Sequence, residues 1–148
     1  MSDSRNLLQM KPILHLDHCL TMVEAARREA TRCDAAVSIA VADDGGHILL
    51  LMRCDGATPM SAEVAPSKAR LAATARRPTK TLEDAVNSGR QSLLSEPALN
   101  GMIEGGVPVK IGEQFIGAVG VSGTTPAQDT QIAEAAVAAF LKVVVLAE

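Results

Sequence analysis

The chain has 148 residues and a mass of 15.4 kDa, the size of one domain that buries roughly two-thirds of its unfolded surface. A hydrophobic fraction of 47% beside 21% charged residues excludes disorder and fibrous architectures. With 14 basic and 17 acidic side chains the net charge is −3, and no basic block could neutralise a run of phosphates, which argues against nucleic acid as a partner.

Residues 1–13 read as a polar N-terminal arm. They lack the apolar stretch and small-residue cleavage site of an export signal, so a cytoplasmic location is expected. From Leu16 to Arg32, apolar residues at Leu16, Leu20, Val23 and Ala26 recur at steps of three and four, with Asp17 near the start and Arg27, Arg28 and Arg32 towards the end. That spacing predicts an amphipathic helix whose charges match its dipole. Two apolar runs follow, Ala35–Asp43 and His47–Arg53, joined by Asp44-Gly45-Gly46, a pattern that predicts a β-hairpin.

After a loop from Cys54 to Pro59, the Ala-rich segment Ser61–Arg76 predicts a second helix. Because Pro66 lies inside the pattern, its regular part is expected to begin near Ala65. Pro78 closes it, and Thr79 or Thr81 can cap a short helix over Leu82–Asn87. Ser88–Pro97 reads as a loop. Val107–Ile111 and Phe115–Ser122, flanking Gly112-Glu113-Gln114, predict a second hairpin, with Gly117 and Gly120 admitting close approach of a helix or a ligand. The last element is a long packing helix from Pro126 to about Val145, capped by Thr124 or Thr125. Its apolar end contains Lys142 and is shorter than the roughly 20 residues needed to span a bilayer. No membrane partner is expected.

Helices and hairpins in this order, without a βαβ rhythm, predict an α+β domain over residues 14–148, with helices packed on an antiparallel sheet. Phe115 and Phe140 are the only aromatic residues apart from histidine, so the core must be built from small aliphatic side chains. Cys19, Cys33 and Cys54 are odd in number and lack C-x-x-C spacing, which points to reduced thiols rather than a disulfide framework or a zinc site.

Phosphate-loop and nucleophile-elbow patterns are absent. His15 and His18, three apart at the start of the first helix, could face one way and hold a metal or a haem iron. A larger polar set lies among small residues: Arg53, Asp55, Lys68, Arg77, Thr79, Glu104, Gly105, Gly106, Ser122, Gln128 and Asp129. Folding could bring these into one pocket. Each also has a local explanation, with Arg53 pairing with Asp55, Glu104 shaping a turn and Asp129 favouring a helix N-terminus.

In order and spacing, Asp44-Gly45-Gly46-His47, Arg53-Cys54-Asp55-Gly56-Ala57, Lys68-Ala69, Arg77-Pro78-Thr79, Glu104-Gly105-Gly106-Val107-Pro108, Ile116–Gly123, Gln128-Asp129 and Ile132-Ala133 resemble the GlcG/HbpS family, which includes the C-terminal domain of PduO-type proteins. The resemblance runs from about Leu14 to Ala139. It implies a profilin-like α/β/α sandwich with a five-stranded antiparallel sheet, a homo-oligomer, and small-ligand binding that in some members is haem binding or degradation. The chain departs from the family pattern at Leu71, where a Thr is common, at Ala75, where a Phe is common, and at Cys54, where a Met is common.

Two functions follow as expectations. In the first, the chain binds a small ligand, either haem or a small carboxylated metabolite. Arg53, Lys68, Arg77, Thr79, Gly105, Gly106, Ser122, Gln128 and Asp129 line its site, amides near Thr125–Gln128 hold a carboxylate, and His15 or His18 ligates iron if haem is bound. No cofactor is required, and haem is the possible one. In the second, the chain is a cofactor-independent lyase, isomerase or hydrolase acting on a small carboxylated intermediate of a catabolic pathway. There Glu104 or Asp55 is the general base, Lys68 and Arg77 clamp the carboxylate, Gly105-Gly106 amides stabilise an oxyanion, and Cys54 is a further nucleophile. In either case the Val143-Val144-Val145-Leu146 run is an expected interface patch.

Overall fold

The computed structural model describes residues 7–147, with side chains described through Val144. Residues 1–6 of the expected arm, and the side chains of Val145 and Leu146 of the expected interface patch, therefore lie outside the description. The described chain runs α1 (Leu16–Arg32), β1 (Ser38–Asp43), β2 (Ile48–Arg53), α2 (Pro59–Ala75), α3 (Thr79–Asn87), two 3₁₀ turns (Gln91–Ser95 and Pro97–Leu99), β3 (Gly106–Ile111), β4 (Gln114–Ser122) and α4 (Pro126–Ala147).

The strands form one antiparallel sheet in the order β2-β1-β4-β3. Among the described residues the expected fifth strand is not found: the sheet has four. Its physical reason lies in the segment between α3 and β3, the longest connection, which is taken up by turns and carries Gly89, Gly101 and Gly105 at positive φ.

Strand alternation sends different residues to the two faces. Ile39, Val41, Val119 and Val121 join Met22, Val23, Ala26, Ile132, Ala136 and Phe140 in a core against α1 and α4. The opposite face consists of Ala40, Ala42 and Ala118 against Ala65, Ala69, Ala72 and Ala73 of α2. Alanine on both sides lets α2 sit unusually close to the sheet. At Gly120 a Cβ would lie 2.5 Å from the Ala69 amide nitrogen, so only glycine fits under the helix there.

Helix α2 starts earlier than the sequence reading predicts and runs straight through Pro66. Thr58 caps it by accepting a hydrogen bond from the Ser61 amide at 3.3 Å, and Pro59 occupies the first turn. An interior proline costs about 3 kcal/mol, and burial of the alanine face against the sheet outweighs it. Helix α3 also starts earlier, at Thr79, without a side-chain cap. The Thr79 hydroxyl is instead turned inward, donating to the Ile103 carbonyl at 2.6 Å. At the β1–β2 turn, the Asp43 carboxylate accepts from the amides of Gly45 and His47 at 2.9 and 3.0 Å, while Gly46 takes φ 86°.

Candidate functional site

The polar residues singled out in the sequence separate into three places. The first is a sealed tie between α2, β4 and α4. The Lys68 ammonium donates to the Val121 carbonyl at 2.9 Å and to Asp129 Oδ2 at 3.0 Å, and both residues are buried. Asp129 Oδ1 accepts from the Thr124 amide at 3.1 Å. Burial pushes the Asp129 carboxyl above the usual carboxylate range, and the facing Lys68 charge opposes that shift.

Gly105 and Gly106 pack directly on this tie. A Cβ at Gly105 would stand 2.7 Å from Lys68 Nζ, and one at Gly106 would stand 2.6 Å from the Lys68 carbonyl. Their backbone is already committed: the Gly106 amide donates to Thr79 Oγ1 at 2.9 Å, and the Gly105 carbonyl accepts from the Val121 amide at 3.0 Å. Glu104 lies beside them, half-buried, accepting from Thr130 Oγ1 at 3.4 Å with Lys80 Nζ 3.9 Å away. Gln128 accepts from Thr124 Oγ1 at 2.6 Å, and Ser122 sits across from Ser38 at the end of β4. The structure thus brings Lys68, Thr79, Glu104, Gly105, Gly106, Gln128 and Asp129 together, with the Lys68 charge closed off from solvent.

The second place is a cavity of about 360 Å³ between the C-terminal half of α1 and the end of β2. Arg53, Cys54 and Asp55 line it with Arg27 and Thr31. Arg53 does not pair with Asp55; its Nε donates to the Ala57 carbonyl at 3.2 Å. Burial pushes the Cys54 thiol up, away from the reactive thiolate. Arg77 joins neither place: it is exposed and its Nε donates to the Ala75 carbonyl at 3.2 Å.

The third place is an apolar groove of about 410 Å³ formed by Pro12, Ile13, His18, Ile111, Ile116, Phe140, Val143 and Val144. His18 meets the edge of the Phe140 ring at 5.5 Å between centroids and stacks on His15 at 5.5 Å. Its Nδ1 accepts from the His15 amide at 3.1 Å, which satisfies an N–H left over at the start of α1. Sequence reasoning finds the two histidines but misses the aliphatic walls, because Ile13, Ile111 and Val143 come from three separate elements. The signal that could have found them is Phe140, one of two phenylalanines, set among apolar residues that continue past one helix face.

A family model described as "Haem degrading protein HbpS-like" matches residues 14–138. The chain is 47% identical over 115 residues to Protein GlcG of Escherichia coli K12, covering 78% of this chain and 85% of that protein. The crystal structure of Klebsiella pneumoniae protein ORFY superposes with a TM-score of 0.85 at 34% identity, covering 92% of this chain and 96% of that one. A PduOC:haem complex superposes with a TM-score of 0.78 at 28% identity, covering 86% and 95%.

Proposed function

This chain belongs to the HbpS-like family, and we propose that it is a small-ligand-binding protein whose site is the apolar groove at His18, with haem as its foremost ligand. The observation that carries this reading is an imidazole set on the wall of a groove that is otherwise aliphatic and aromatic. A flat apolar body needs such walls, and a neutral imidazole is the commonest protein ligand for haem iron. Structural likeness to a PduOC:haem complex supports the same choice.

The residues present fit the group. Ile13, Ile111, Ile116, Val143 and Val144 would hold the porphyrin body by exclusion of water, and His18 would hold the iron. When bound, haem supplies an iron centre able to change redox state or take a further ligand. Nδ1 of His18 accepts from the His15 amide, which leaves Nε2 as the nitrogen that would hold the iron. His18 would then serve twice, holding the His15 amide at the start of α1 through one nitrogen and the group's iron through the other. Phe140 meets the His18 ring edge-on and would hold its plane.

The buried tie does not support the enzymatic reading as well. A carboxylate clamp needs a cation that a ligand can reach, and the Lys68 ammonium is enclosed and paired. The test compares haemin with iron-free protoporphyrin by absorbance titration. The proposal predicts saturable binding of both, with haemin tighter by the strength of the iron–imidazole bond. Binding of neither rejects the groove as the site. Equal affinities keep the groove and reject His18 as iron ligand.

A further inference from the structure

Helix α1 carries two openings, one towards each end. The apolar groove meets it at His18, whereas the cavity of about 360 Å³ meets it at Arg27, Ala30 and Thr31, roughly 14 Å further along the axis at about 1.5 Å per residue. That volume is in the range of small-molecule sites. Unlike the groove, this cavity is lined by charges.

Which of those charges are committed defines what the cavity can take. Arg27 is held by Glu24, its Nε and Nη2 donating to the two carboxylate oxygens at 3.0 and 2.7 Å. Arg53 engages only Nε, on the Ala57 carbonyl at 3.2 Å, and among the described residues its two terminal nitrogens have no partner. Nor does the Asp55 carboxylate have a hydrogen-bond or ion-pair partner among the described residues, although it lines the same cavity. Both residues are exposed, so a ligand can reach them. Burial pushes the Cys54 thiol between them up, so it adds no charge. One open guanidinium and one open carboxylate remain.

We propose that this cavity binds a free α-amino acid with a small apolar side chain, its carboxylate on the Arg53 guanidinium and its ammonium on Asp55. A guanidinium offers a carboxylate two parallel donors, and Arg53 has both terminal nitrogens open for them. A phosphate ester or a simple carboxylate meets repulsion at Asp55, and a simple amine meets it at Arg53. Only a molecule with both charges satisfies both groups. The acidic end extends into an adjoining hollow, which shares Thr31, Ala35 and Asp55 with the cavity and adds Asp34. It lies just past the C-terminus of α1, where the helix dipole also favours a cation. Ala30, Ala35 and Met52 supply the apolar part of the lining, which suits a short aliphatic side chain. The proposal is independent of the haem groove and of the reading placed on it.

The test is isothermal titration calorimetry of the full chain with glycine, L-alanine and L-valine, beside propionate, which lacks the ammonium, and ethylamine, which lacks the carboxylate. At least one of the amino acids is expected to bind saturably, and propionate and ethylamine to bind weaker than it by about tenfold or more. Arg53→Gln and Asp55→Asn should each weaken the amino acid by about tenfold or more with an unchanged far-ultraviolet spectrum. Asp55→Asn should at the same time bind propionate at least as well as the wild type does, a gain that damage to the fold would not produce. Arg90→Gln, which removes an exposed arginine after α3, should leave the amino acid's affinity unchanged. Absence of saturable binding by all three amino acids overturns the proposal. So does propionate or ethylamine binding as tightly as the amino acid, wild-type affinity in Arg53→Gln or Asp55→Asn, or an equal loss in Arg90→Gln.

Discussion

Lys68 Nζ and Asp129 Oδ2 stand 3.0 Å apart, joining the middle of α2 to the first turn of α4 with both side chains shut away from solvent. A buried pair of this kind holds parts in register, and losing one partner strands the other charge. Lys68→Met and Asp129→Asn are each expected to lower stability by about 3 kcal/mol or more. The double variant Lys68→Met/Asp129→Asn should lose clearly less than the sum, a coupling read from a double-mutant cycle. Urea unfolding followed by circular dichroism measures it, since the chain has no tryptophan or tyrosine to report by fluorescence. Additive losses would mean that the two side chains act separately.

The pH response of the single variant has a defined sign. Burial already raises the Asp129 carboxyl above its ordinary value, and the Lys68 charge opposes that rise. Removing the charge in Lys68→Met raises the carboxyl further. A group raised on folding adds stability below its unfolded value and loses it as pH climbs through the folded value. Lys68→Met should therefore be more stable at about pH 4 than at about pH 8. Unfolding midpoints at the two pH values check this, and the opposite order contradicts it.

Glu29 provides the reverse case on the surface between α1 and α4. Its carboxylate accepts from Arg32 at 2.5 and 3.0 Å and from Gln131 Nε2 at 2.7 Å. The Arg32 bonds first, and then Gln131, hold its pKa down at about 2. A carboxyl lowered on folding contributes stability above its ordinary value, and that contribution is lost as pH falls through the lowered one. The wild type should lose more stability between about pH 5 and about pH 2 than Glu29→Gln does. Parallel pH profiles for the two proteins would remove Glu29 from the account.

Gly120 is the point where α2 leaves no room for a side chain. The Cβ of Gly120→Ala would stand 2.5 Å from the Ala69 amide nitrogen, a backbone atom that cannot rotate away. Overpacking of this kind costs about 1–3 kcal/mol. Gly112→Ala, where a Cβ meets nothing within 4 Å, separates the two causes, because its strain comes from φ 57° alone. Thermal unfolding of both variants should rank Gly120→Ala as the more damaging.

Much of this fold is legible in the sequence, and the residues explain why. The three-and-four spacing of Leu16–Arg32 matches α1 end to end, and Asp44-Gly45-Gly46 marks the first hairpin because its glycines supply a turn that few other residues can adopt. Local rules fail where tertiary packing overrides them. Pro66 signals a late helix start, yet α2 begins at Pro59, where Thr58 caps it and buried Ser61 meets Ser38 of β1, and its alanine face is held against the sheet from Ala65 onward. Thr79 looks like a cap, but its hydroxyl is drawn inward by the Ile103 carbonyl and the Gly106 amide.

The site was legible only in pieces. Lys68, Glu104, Gly105, Gly106 and Asp129 stand out as polar or flexible residues among small ones, and they do converge. No one-dimensional signal separates a lysine that greets a ligand from one that ties two helices. Arg53 and Asp55 belong to the same motif yet lie in a different cavity, because β2 ends beside α1 rather than beside α4. His18 is visible in sequence, whereas its groove depends on α4 bringing Phe140 and Val143 across to Ile13 and Ile111.

The central claim is that a ligand enters the His18 groove and that this imidazole takes the iron of haem. The most direct measurement is a haemin titration of the wild type, His18→Ala and His15→Ala, read by absorbance in the Soret region. We predict a saturable Soret shift for the wild type, a shift kept in His15→Ala, and one lost or weakened by about tenfold or more in His18→Ala. A wild-type titration that never saturates, or a His18→Ala spectrum that matches the wild type throughout, would contradict the account.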